Sequence, residues 1–220
     1  MTQEDYKYKL PHRQYFGEAF LMTWRLKDSI PKSDLQRVGM VREVAIEDLQ
    51  RKKLSDELAQ LELNKIESRY FEALDSVLDK IETGPHWLKQ ADIAQIAMDK
   101  MREYDGKYYR LEAFCVMSNH VHALFDFGIQ LQDNGQPSTD YVQLDKVMQL
   151  IKGGSGYTAN KALGRSGSFW ERLNFDRYIR NERHYNNVIN YILNNPVKAG
   201  LCKDWRDYPY TWLRPLALPL

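Results

Sequence analysis

Apolar and polar positions recur along this chain with changing period, and the changes divide it into elements. Residues 15–27, YFGEAFLMTWRLK, are dense in aromatic and aliphatic types and predict an early strand. Val41 to Ile81 contains no glycine or proline, and its apolar residues, from Ile46 through Tyr70, Leu74 and Leu78, return at threes, fours and fives. That spacing predicts one amphipathic helix, or two in succession, with a charged outer face, ended by Gly84-Pro85. Residues 92–103 predict another helix through Ile93, Ile96, Ala97 and Met101. Tyr108–Met117 and Val121–Phe127 are runs of β-formers parted only by Ser118-Asn119 and its flanks, which predicts two tightly joined strands. A helix is expected over 140–152, then a glycine-rich stretch and the aromatic segment FWERLNFDRYI. A last helix runs from Glu182 to Asn194, where Pro196 is expected to stop it. Strands and helices in this order, without regular βαβ alternation, predict an α+β fold: an antiparallel sheet with packed helices.

Composition narrows the class. The 220 residues suffice for one buried domain, or one domain with an insertion. No run of 18 apolar residues exists to span a membrane, and MTQEDYKYKLPHRQ lacks the apolar stretch of a secretion signal. Cys115 and Cys202 form no C-x-x-C pattern, so a cytoplasmic protein with reduced thiols is expected. The net charge of +1 announces no polyanionic partner, but its distribution is uneven. Residues 42–82 hold 7 Lys/Arg against 11 Asp/Glu, whereas 140–220 hold 12 against 7. A local basic surface is therefore available on an otherwise neutral chain.

Candidate chemistry begins at His120-Val121-His122. On a strand, the two imidazoles project to one side and Val121 to the other, a geometry able to chelate a metal; an uncomplexed surface pair is the plainer reading of so short a motif. The helix from Glu182 supplies possible companions. Tyr185, Val188, Ile189 and Ile192 share its apolar arc, while His184, Tyr191 and Asn195 fall on a neighbouring one. Tyr191 and Asn195, four residues apart, lie one above the other, which suits a nucleophile beside a ligand oxygen as well as it suits a half-buried packing tyrosine.

The segment Phe114–Phe125, FCVMSNHVHALF, resembles the HUH (His-hydrophobic-His) motif of single-stranded DNA transposases. Trp170–Leu201, with its YILNNPVKAGL ending, resembles the C-terminal signature of the REP-associated tyrosine transposases. TWRLKDSIP at 23–31 and GPHWL at 84–88 are similar to further family segments, so the likeness spans most of the chain. It implies a single transposase domain over residues 1–220 of the ferredoxin-like (RRM-like) HUH endonuclease fold, with the helical stretch at about 41–82 as an elaboration. It implies cleavage and rejoining of single-stranded DNA near hairpins through a 5′-phosphotyrosine. His120 and His122 match the family's metal pair, Tyr191 its nucleophile and Asn195 its third ligand, with Mg²⁺ or Mn²⁺ as the ion. Tyr178 and Tyr185 are rivals that do not match the family position, and no general base is evident. Lys152, Gly153 and Gly154 were candidates for phosphate contact through backbone N–H groups and a cation, with Lys161, Arg165, Arg172, Arg177, Arg180 and Lys198 as further basic candidates. Of the aromatics there, Trp170 and Phe175 are expected in the core rather than stacked on bases. The alternative function is a non-cleaving, regulatory hairpin-binding protein. Whether the active unit is a monomer or a dimer stays open.

Overall fold

The computed structural model describes residues 16–215; Tyr15, which opens the predicted first strand, and the polar N-terminal stretch 1–14 lie outside them. Its strands are β1 (Ala19–Arg25), β2 (Arg110–Val116), β3 (His120–Asp126), β4 (Phe175–Tyr178) and β5 (Thr211–Leu213). Its helices are α1 (Lys32–Arg51), α2 (Asp56–Lys80), α3 (Ala91–Arg102), α4 (Leu144–Ala162) and α5 (Glu182–Lys198). The five strands form one antiparallel sheet in the order β4-β1-β3-β2-β5, so the α+β expectation holds. The first four strands have the split βαβ order of a ferredoxin-like sheet, and β5 extends the β2 edge.

Alternation sorts the sheet's side chains into two cores. Trp24, Phe114, Val121, Ala123 and Phe125 join the side covered by α3 and α4. Leu21, Ala113, Cys115 and Leu124 join the other side with Phe71 of α2 and Val188 and Ile192 of α5. Strand β3 is central and buried on both faces, and its alternation sends His120 and His122 to the α2/α5 side with Leu124. A bulge in β2, where Leu111 pairs Phe125 but Ala113 pairs Leu124, leaves Glu112 unpaired in the ladder, its carboxylate bonded to Arg110.

Three expectations are corrected. The long helical pattern is the expected alternative of two helices in succession, but the first begins at Lys32, before Val41; the break at 52–55 ends with Ser55 capping α2. Helix α4 does not stop at 152 but continues through Gly153, Gly154 and Gly156. Packing overrides the poor propensity of these glycines. A Cβ at Gly154 would meet the Lys100 side chain at 2.6 Å, and one at Gly156 would meet Phe169 at 3.2 Å. Their helical setting also withdraws the N–H groups of Gly153 and Gly154 from phosphate contact.

Helix α5 likewise passes through Pro196 to Lys198. Proline removes one helical donor and crowds the preceding turn, but Pro196 is buried and lies within the last turn. The helix closes beyond it, with Leu201 N–H donating to Pro196 O at 2.8 Å and Gly200 in the left-handed region at φ 72°. This extra turn buries Asn195 inside the helix rather than at its end. Among the described residues, no helix is long and apolar enough to cross a membrane.

Candidate metal and tyrosine site

His120 and His122 stand side by side on β3, ring centroids 4.7 Å apart, and both are fully buried. Each ring is held by its Nδ1. Thr23 Oγ1, from the facing residue of β1, lies 2.7 Å from His122 Nδ1. Asn119 Oδ1 lies 2.6 Å from His120 Nδ1. The Asn119 amide is oriented from outside, because its Nδ2 donates to Leu78 O at 3.1 Å. Its oxygen therefore accepts from His120 Nδ1–H, and the His120 Nε2 lone pair faces inward.

What it faces is a carboxylate. Asp75 Oδ1, from α2, lies 3.1 Å from His122 Nε2 and 4.0 Å from His120 Nε2. One turn on, Asp79 Oδ1 is 4.0 Å from His120 Nε2. Lys198 Nζ of α5 closes the outer side, 3.7 Å from Asp75 Oδ2 and 3.3 Å from Asp79 Oδ2. Tyr191 enters from α5, its ring 5.2 Å from His122 and 6.1 Å from Phe71. Asn195 follows one turn later, 1% exposed. The sequence-predicted quartet His120, His122, Tyr191 and Asn195 thus lies along one side of the sheet, with Tyr191 against His122. Tyr178 sits on β4 against Phe20, and Tyr185 faces Glu112.

Burial dominates the electrostatics of the site. Burial, reinforced by His122, pushes His120 down to about 3. Burial would raise the Asp75 carboxyl, but the fields of His122 and then His120 outweigh it and hold it below the ordinary range. Burial and the neighbouring Asp75 push Asp79 up. Burial, then the Asp75 carboxylate, lifts the Tyr191 phenol far above its ordinary value. Among the described residues, His120 Nε2, His122 Nε2, Asp75 Oδ1, both oxygens of Asp79, Tyr191 Oη and both amide atoms of Asn195 are buried without a hydrogen bond of normal geometry. Such a concentration of unsatisfied groups in one place is costly unless something binds there. The ligand atoms of Asp75, His120 and His122 lie within 4.8 Å of one another, and two imidazoles with oxygen donors suit a divalent ion.

Asp75 and Asp79 belong to the site without standing in any of the motifs. The signal was available: four residues apart on α2, Asp75 falls on the stripe made by Phe71, Leu74 and Leu78, where an unpaired carboxylate is anomalous.

The basic candidates divide between two places. Lys152, Arg165 and Arg172 border grooves at the α4 end, one of about 600 Å³ lined also by Lys27, Tyr157 and Trp170. Lys152 is engaged there, donating to Arg172 O at 2.9 Å, and burial lowers it to about 8. Arg165 lies over Trp87 at 3.8 Å, and Lys161 is exposed at the end of α4. Phe169 and Trp170 are core residues, as expected for Trp170, while Phe175 is half-buried against Phe71 and Tyr70 and Tyr157 is exposed. Arg177 and Lys198 belong instead to the histidine site; Arg177 covers Phe71 at 5.1 Å and keeps one nitrogen unpartnered. Arg180 is exposed before α5.

Acid should weaken the metal-free fold through His120. The unfolded chain takes that proton below its ordinary 6.5, the folded chain only below about 3, so stability falls as pH drops through this window. Asp79, raised, works in the opposite sense over its own range, which makes the comparison of variants the informative one. In EDTA, the urea midpoint is expected to fall between pH 7 and pH 5, and His120→Asn to lessen that fall. An equal fall in both proteins would remove His120 as its source.

Paired histidines on a central antiparallel strand, with a tyrosine from the adjoining helix, form a candidate metal-and-tyrosine site on a ferredoxin-like sheet. A putative REP-associated tyrosine transposase of Haemophilus influenzae (strain ATCC 51907 / DSM 11121 / KW20 / Rd) is 28% identical to this chain over 99 residues, which are 45% of this chain and 56% of that protein. The match thus spans little more than half of that relative, and it bears out the resemblance carried by the motifs. Among solved structures, one described as the REP-associated tyrosine transposase bound to a REP hairpin is similar at 17% identity and a TM-score of 0.49, covering 92% of this chain and 82% of that one. No protein-family model matches the chain.

Proposed function

We propose that this chain is a metal-dependent, single-strand DNA endonuclease and transposase of the REP-associated kind, acting in the cytoplasm on DNA beside hairpins. The observation that carries the reading is the Tyr191 ring 5.2 Å from His122, in a pocket of unsatisfied metal-type donors. Tyr191 is the nucleophile: its Oη bonds the scissile phosphorus, the P–O3′ bond breaks, and the leaving 3′ oxygen takes a proton. The product is a 5′-phosphotyrosine, whose retained bond energy permits rejoining. His120, His122 and Asn195 would hold Mg²⁺ or Mn²⁺, which would supply positive charge to the phosphate. The phenol must lose its proton where burial and Asp75 oppose its ionisation, so cationic charge in the pocket is what makes attack feasible. Arg177 and Lys198 border the pocket with cations for the phosphate, and Lys152, Lys161, Arg165, Arg172 and Arg180 are further contacts for the DNA backbone.

One observation favours a second reading. Both histidines are fully enclosed, with α2 against them, which would keep a scissile phosphate away and suits a hairpin-binding protein that does not cut. Covalent trapping separates the two. The full chain, incubated with a single-stranded hairpin oligonucleotide and Mn²⁺, is expected to give a protein–DNA adduct stable on a denaturing gel and absent in EDTA. Hairpin binding without any adduct would overturn the nuclease reading in favour of the second.

A further inference from the structure

We propose that Asp75 is a protein ligand of the ion held by His120 and His122, so that the ion clamps helix α2 onto the sheet. The inference rests on the metal site of the reading above, and adds a ligand from the helical stretch that no motif of the resemblance covers. Three observations carry it.

The first is the direction of the donors. Because Asn119 Nδ2 is committed to Leu78 O, the proton of neutral His120 sits on Nδ1. Its Nε2 presents a lone pair toward Asp75 Oδ1, 4.0 Å away, with no donor of normal geometry for either atom. His122 is in the same position if Nδ1–H donates to Thr23 Oγ1, its Nε2 then facing the same oxygen at 3.1 Å. Lone pairs converging on a buried carboxylate oxygen repel one another; a cation among them turns that repulsion into coordination.

The second is spacing. Atoms bound to one divalent ion by bonds of about 2.0–2.2 Å lie roughly 3–4 Å apart. The two separations to Asp75 Oδ1, 3.1 and 4.0 Å, fall in that range, and the three ligand atoms together lie within 4.8 Å of one another. Two imidazoles and one carboxylate on one side of an ion leave its other positions open for Asn195 Oδ1 and phosphate oxygens.

The third is how Asp75 is held. It is 3% exposed on the apolar stripe of α2, between Leu74 and Leu78, a position that excludes water as its solvating partner. Lys198 reaches only its other oxygen, Oδ2, at 3.7 Å, and is itself mostly exposed. The oxygen facing the histidines receives no hydrogen bond of normal geometry, although His122 and Tyr191 lie close enough to hold the carboxyl down.

Mn²⁺ is the probe, read by calorimetry and by hydrogen exchange of the full chain. Asp75→Asn is expected to bind Mn²⁺ at least about 10-fold more weakly than the unchanged chain. Glu57→Gln, exposed on the same helix, should bind as the unchanged chain does. In the unchanged chain, Mn²⁺ should slow amide exchange over residues 71–80 of α2 as well as over β3. This second measurement needs no variant and stands if Asp75→Asn fails to fold. Unaltered Mn²⁺ affinity in Asp75→Asn, or protection of β3 without α2, would overturn the assignment while leaving the histidine site intact. Failure of the unchanged chain to bind Mn²⁺ at all would overturn both.

Discussion

Tyr191→Phe is expected to abolish the covalent DNA adduct while leaving Mn²⁺ binding and hairpin affinity as they were. The substitution removes one oxygen, and that oxygen is the proposed nucleophile, so the loss should be on the order of 10³-fold or more. The ring stays. Its contacts with His122 at 5.2 Å and Phe71 at 6.1 Å are those of a phenyl group as much as of a phenol. The hydroxyl is buried without a hydrogen bond of normal geometry, so its removal should leave stability unchanged or raise it by up to about 1 kcal/mol. A melting temperature at or above that of the unchanged chain, together with no adduct, is the expected pair of results. Tyr185→Phe should keep the adduct, since that side chain faces Glu112 on another part of α5. An adduct formed by Tyr191→Phe would end the assignment of this residue as nucleophile.

Trp24→Ala should be the most damaging single change to the fold. The indole is 1% exposed, stacked 6.4 Å from Phe125 and edge-on 6.1 Å from Trp170, so it ties β1 to β3 and to the loop before β4. Truncating a buried aromatic of this size costs about 3–5 kcal/mol. In a chain of this length that corresponds to a loss of about 10 °C in melting temperature. Trp24 pairs Val121 in register, next to the Thr23–His122 pair, so loosening there also slackens the hydroxyl that orients His122. A thermal melt in EDTA reads the effect directly. A drop under about 3 °C would mean the indole is not the keystone of this core.

The histidine pair and the α5 tyrosine were legible in the chain because both rest on short-range periodicity. Two residues apart on a strand, and four apart on a helix, fix the shared face whatever the tertiary structure does. Element limits were less legible where packing outvotes propensity. Gly153 and Gly154 read as a loop, yet both lie inside α4, where a Cβ at Gly154 would meet the Lys100 side chain at 2.6 Å, and buried Pro196 does not end α5. Asp75 and Asp79 went unread for another reason. They lie 41 or more positions before His120, and their meeting with it depends on where α2 docks, which no local pattern encodes. The apolar stripe announced that α2 packs; the aspartate within it held the clue to what it packs against.

The amide of Asn119 ties a helix position to a proton position. It holds its orientation only while Leu78 O is there to receive Nδ2. Were α2 to lift away, the amide would be free to rotate by half a turn and present nitrogen instead of oxygen to His120. The imidazole would then have to accept at Nδ1 and carry its hydrogen on Nε2, which cannot donate a lone pair to an ion. Displacing a helix would thus rewrite a tautomer, and the strand would lose half its chelating pair without moving an atom of its backbone.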